Sequence, residues 1–114
     1  MGVEFMKAVG KVTAGNRLAT TITPISGKEA TVTAFRGKAA FSKDSYTAVI
    51  WKYDPANPDD EVYLHVEKGS GDKHPEDIQK ITGDGTSKLA VVCANSEATK
   101  DLFMDCYATV QVED

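Results

Sequence analysis

Histidine and cysteine are scarce, two of each in 114 residues, and the scarcity removes whole classes of chemistry. His65 and His74 fall short of a zinc ligand set, and no C-x-x-C or H-E-x-x-H spacing accompanies them. His65 lies out of phase with Val62 and Leu64, which predicts a surface or interface histidine; His74 precedes a proline in a loop, where water reaches it. Cys93 and Cys106 are too few for a disulfide framework. Each sits in an apolar run, which predicts a buried, reduced thiol packed as a small hydrophobe, with a disulfide between two packed strands as the alternative. Neither has a neighbouring histidine in sequence to activate it as a nucleophile.

Long apolar runs are missing too. The longest, such as Leu89 to Ala94, fall far below the ~20 residues of a membrane helix, so no membrane partner is expected. The opening Met1-Gly2-Val3-Glu4-Phe5-Met6-Lys7 lacks the basic and apolar regions of a secretory signal, which predicts synthesis in the cytoplasm. Motifs of catalysis are equally absent. Nothing matches a phosphate-binding G-x-x-x-x-G-K-[ST] loop, and Gly83-Asp84-Gly85-Thr86 reads as a turn with an aspartate where an anion would sit. Gly69-Ser70-Gly71 has a serine but not the spacing of a nucleophile elbow. The loop acids Asp54, Asp59, Asp60 and Glu61 lack the calcium-loop pattern and read as a solvated turn. Asp105 and Glu67 offer a carboxylate pair only if their strands are neighbours. The sequence thus predicts no enzyme, no catalytic residues, no metal and no cofactor.

What is present is period-two alternation. Leu102, Met104, Cys106, Ala108, Val110 and Val112 alternate with Phe103, Asp105, Tyr107, Thr109, Gln111 and Glu113, which reads as a long strand with one face in the core. Tyr46 to Tyr53 is dense in β-branched and aromatic residues and reads as a central strand. A Pro/Asx loop follows, and Val62, Leu64 and Val66 resume alternation, so the two segments form a hairpin. Lys88 to Ala94 reads as a strand buried on both faces. Softer strand signals cover Val3 to Val12, Leu18 to Ile25, Glu29 to Phe35 and Lys38 to Phe41, with Val32, Ala34 and Gly37 suggesting an edge strand and a bend. Glu76 to Ile81 reads as a short strand or a helical turn, residues 69–75 as a turn cluster, and Asn95 to Lys100 as a capped turn of helix. The sum is one all-β domain over 1–114, a single antiparallel β-sandwich or jelly-roll-like fold of seven or eight strands.

Net charge is −4, which argues against nucleic acid as a partner. Its distribution is uneven. Residues 1–53 carry eight Lys/Arg against three Asp/Glu, a net +5, and residues 54–114 carry five against fourteen, a net −9, so copies could meet head to tail. A homo-oligomer is expected, a trimer first and a dimer second. Trp51, Tyr53, Tyr63, Phe103 and Tyr107 supply aromatic material for contacts, with Trp51 best suited to the core.

The strand Thr47 to Asp54 with its Asn/Pro/Asp turn and Glu61-Val62 resembles a stretch of the small β-sandwich virion proteins of tailed bacteriophages. Ile81 to Val92 and the tail Tyr107 to Val112 are similar to the closing half of those proteins, so the resemblance covers roughly residues 30–113. It implies a head decoration or cement protein located on the virion, partnered by the major capsid protein or other virion proteins and stabilising the shell. The alternative is a carbohydrate- or receptor-binding β-sandwich that exposes Trp51, Tyr53 or Tyr107 beside an acid such as Asp105.

Overall fold

A computed structural model of the chain describes residues 2–38, 44–68, 70–73 and 79–114. Nine strand segments follow one another: β1 (Gly2–Val12), β2 (Arg17–Ile22), β3 (Glu29–Lys38), β4 (Tyr46–Trp51), β5 (Val62–Lys68), β6 (Ser70–Lys73), β7 (Gln79–Thr82), β8 (Leu89–Ala94) and β9 (Leu102–Val112). The first sheet has the order β1-β9-β3, with β6 and β7 paired to successive stretches of the far side of β3; the second has the order β2-β8-β4-β5. Every pairing is antiparallel. Because β6 and β7 share one position, each sheet is four strands wide, and the two form a β-sandwich as the alternation predicts.

The strongest sequence signals become the middle strands. In β9 the residues Leu102, Met104, Cys106, Ala108 and Val110 are buried, while Phe103, Tyr107 and Gln111 are exposed. β8 is buried along its whole length and β4 from Thr47 onward. Between the sheets lies one apolar layer, to which the first contributes Met6, Val32, Phe35, Met104 and Val110 and the second Val49, Trp51, Leu89 and Val91. Full burial of such a side chain stabilises the fold by ~1.5–3 kcal/mol. β4 stops at Trp51 because Lys52 takes a left-handed conformation, φ 60°, which no strand continues through.

Several expectations are corrected by the pairing. β3 is an inner strand rather than an edge, and Gly37 lies within it rather than at a bend. A bulge between Val32 and Ala34 shifts its phase, so that Ala30 and Val32 point inward before it, and Phe35 and Gly37 after it. A second irregularity pairs Val49 with His65 and Ile50 with Tyr63, leaving Leu64 as the extra residue of β5. The face expected from Val62, Leu64 and Val66 is thereby broken: Leu64 packs against the core, whereas Val62 and Val66 are exposed. His65 turns inward, its ring edge-on to buried Phe35 at 4.7 Å, and is not a surface histidine. Ser70–Lys73 form β6 against Phe35–Lys38 instead of a turn, and of residues 76–81 the described part belongs to β7. His74 and residues 39–41 lie outside the described residues.

Asn95 to Lys100 forms no helix. The Asn95 side chain is buried and donates to the carbonyls of Val12 and Lys100, both at 2.8 Å, while its oxygen accepts the Glu97 N–H. It ties the end of β1 to the β8–β9 loop, and a residue so employed caps no helix.

Gly37 marks a close approach of the layers. A Cβ there would overlap the Thr47 side chain of β4, which is itself fully buried. We predict that Gly37→Ala lowers stability by ~2–3 kcal/mol, the range of core overpacking. In denaturant titration the Gly37→Ala/Thr47→Gly double variant should lose less than the sum of the two single variants. Additive losses would contradict the contact.

Candidate functional site

A sandwich has two outer faces, and here they differ in kind. On the second sheet the outward residues Ala48, Ile50, Ala90 and Val92 are fully buried although, among the described residues, no further layer of strands covers them. They are small enough for Tyr46 and Tyr53 to lie over them. Arg17 at the start of β2 joins Glu61 at the end of the β4–β5 loop by two parallel hydrogen bonds of 2.8 and 3.0 Å. The Glu61 carboxylate, with no exposed surface, also accepts the Asp54 N–H at 3.0 Å, and the Arg17 guanidinium sits 4.8 Å above the Tyr53 ring. The Tyr46 and Tyr63 hydroxyls meet at 3.2 Å; desolvation, and then that hydrogen bond, push the Tyr63 phenol up to about 12. This cluster covers the middle of the second sheet, while Tyr63 and Val66 of β5 stay exposed toward its edge.

The first sheet lacks such a cover among the described residues. Its outward residues run in cross-strand rows: Val3 with Gln111, Phe5 with Thr109, Lys7 with Tyr107 and Arg36, Val9 with Asp105, and Lys11 with Phe103. Phe5 is 81% exposed and Phe103 70%, against a norm in which rings of this size are covered. Five of the nine large hydrophobics exposed among the described residues stand on this face: Val3, Phe5, Val9, Phe103 and Tyr107. Cations are interleaved with them at Lys7, Lys11 and Arg36, the last 5.9 Å from the Tyr107 ring, and acidic residues accompany them: Asp105 lies in the rows, Asp72 of β6 stands opposite Arg36, and Asp101 pairs with Lys11 at 3.8 Å.

Other candidates from the sequence are dispersed. Trp51 is in the core, as its size suggested, and Tyr53 and Tyr63 belong to the outer face of the second sheet. Asp105 and Glu67 lie on different sheets and make no acid pair. The loop acids do not converge: Glu61 is taken by Arg17, and Asp54 accepts from Asn57 and the Ala56 N–H, hydrogen bonds that hold it below the usual carboxylate range. Among the described residues no three metal-ligating side chains gather. Asp84 caps the Thr86 and Ser87 amides in the turn expected there, which holds it down to about 2, chiefly through the Ser87 hydroxyl. A cleft of about 670 Å³ lies beside these two loops, with Lys52, Lys88, Asp54 and Asp60 on its walls, charges that cancel. Phe5 and the three cations of the open face were not singled out by sequence. The signal was there in Val3 to Lys11, where two apolar sets alternate instead of one.

No family model and no curated protein matches the chain. Among solved structures, the crystal structure of PliG from Aeromonas hydrophila, a periplasmic lysozyme inhibitor of g-type lysozyme, is similar at 13% identity and a TM-score of 0.48, over 98% of this chain and 89% of that one. A likeness at that level says nothing of what this chain binds. That neighbour is a periplasmic protein rather than a virion part, and the expectation of a capsid decoration protein located on the virion is withdrawn.

The cover over the second sheet has a measurable signature. Arg17→Met strands the buried Glu61 carboxylate and is expected to cost ~3 kcal/mol in thermal or denaturant unfolding. Arg17→Met combined with Glu61→Leu removes both charges and should recover most of that loss. An Arg17→Met variant as stable as the parent would contradict the clamp.

Proposed function

We propose that this domain is a non-catalytic binding module that docks the outer face of its first sheet onto an apolar surface of a partner protein. The observation that carries the reading is the exposure of Phe5 and Phe103, with Val3, Val9 and Tyr107 beside them, on a face whose cations and carboxylates are balanced. Exposed aromatics next to cations are the residues that anchor protein interfaces, and contiguous apolar surface of this kind marks an interaction site.

Single-stranded nucleic acid is the less favoured occupant. Phe5 and Phe103 are three rows apart, about 20 Å at ~3.4 Å per residue, and although Tyr107 stands between them, the acids Asp105 and Asp72 occupy the same rows, which disfavours a phosphate backbone there.

The test replaces Phe5 or Phe103 by a photo-crosslinking phenylalanine analogue, with Ile25, an exposed residue outside these rows, as the control position. Expressed in its source cells and irradiated, the chain should be joined from positions 5 and 103, and not from 25, to one partner protein. Val9→Glu, which places a charge in the apolar rows between them, should cut the yield at least tenfold. Crosslinks to a second copy of this chain, to nucleic acid, or equally from all three positions would overturn the reading.

A further inference from the structure

Cys93 and Cys106 take no part in the open face, yet their placement is specific. Cys93 of β8 stands opposite Thr47 of β4, and Cys106 of β9 stands opposite Gly37 of β3 on one side and Ala8 of β1 on the other. Gly37 and Thr47 meet where the sheets approach too closely for a Cβ on Gly37, so the two thiols flank a narrow point between the layers. Each thiol reaches across it. The Cys93 thiol donates to the Ala8 carbonyl at 3.4 Å, and Ala8 is the cross-strand partner of Cys106. The Cys106 thiol donates to the Ala48 carbonyl at 4.0 Å, next to Thr47, the partner of Cys93. These reciprocal contacts set the sulfurs against each other. Their mutual hydrogen bond, and then burial, keep the Cys106 thiol protonated.

We infer that Cys93 and Cys106 are the site of an inter-sheet disulfide, formed when the chain meets a low-molecular-weight disulfide such as oxidised glutathione. Facing sheets usually lie ~10 Å apart, whereas a disulfide requires Cα atoms within about 7 Å. The missing side chain at Gly37 is what lets the layers come near enough. In the reaction one protein thiolate attacks glutathione disulfide and releases one glutathione. The second thiolate then attacks the mixed disulfide at the protein sulfur and releases the other. The protein gives up two electrons and two protons, and the reagent becomes two thiols. Both cysteines are fully buried in the closed fold, so the first attack requires β8 or β9 to open, and oxidation is slow. The inference depends on the packing alone and stands whether or not the open face docks a protein.

The test is to incubate the full chain with oxidised glutathione at a denaturant concentration near its unfolding midpoint, return it to native conditions, and record intact mass, peptide map and stability. The expected product is a monomer 2 Da lighter than the reduced chain, with the peptides holding Cys93 and Cys106 joined. Its folding equilibrium constant should be higher by about a hundredfold, the entropic effect of closing a short loop. Persistent glutathione adducts, disulfide-linked dimers, absence of the 2 Da loss, or a bridge that lowers stability would each overturn the inference.

Discussion

The approach of β3 to β4 at Gly37 and Thr47 is the constraint around which the sandwich is arranged. A glycine there lets the layers meet with a fully buried threonine between them, and it places Cys93 and Cys106 on either side of the contact. Val49, Met104 and Val91 fill the layer around this point. The position also explains why a glycine, which costs strand stability through backbone entropy, is kept inside an inner strand.

From that shared interior the two sheets diverge outward. The second carries small residues on its outer face, and small residues alone would leave the strands bare. Tyrosines and the Arg17–Glu61 pair lie over them instead, so this face works as a second small core. The first carries Phe5, Phe103 and Tyr107 outward, left exposed among the described residues, and intersperses lysine and arginine. A protein that spends a buried ion pair to cover the middle of one face while leaving two phenylalanines in water on the other has, on that other face, a surface suited to an outside partner.

How much of this was legible in sequence depends on the range of the cause. β9 and β8 were readable because alternation and unbroken apolar runs are local consequences of which strand faces are buried. β3 and β5 were misread in phase because a bulge at Thr33 and another at Leu64 move side chains from one face to the other without changing composition. β6 was hidden by its glycines, which read as a turn until β3 offers a pairing partner. Asn95 looked like a helix cap because its side chain does accept a nearby N–H, but the carbonyl it holds on Val12 is 83 residues away. Arg17 and Glu61 are 44 residues apart, and nothing local announces their pairing. For the open face, the aromatics of β9 were named from sequence, whereas Phe5 and its neighbouring cations required the β1–β9 register.

The central claim is that the outer face of the first sheet is open in the free chain while the interior is closed, and fluorine NMR of the chain labelled with 4-fluorophenylalanine tests it most directly. The account predicts that the Phe5 and Phe103 resonances shift between H₂O and D₂O and broaden with a soluble gadolinium chelate, while Phe35 does neither. Protection of Phe5 and Phe103 to the level of Phe35 would mean that the face is already covered in the isolated protein, and would contradict the account.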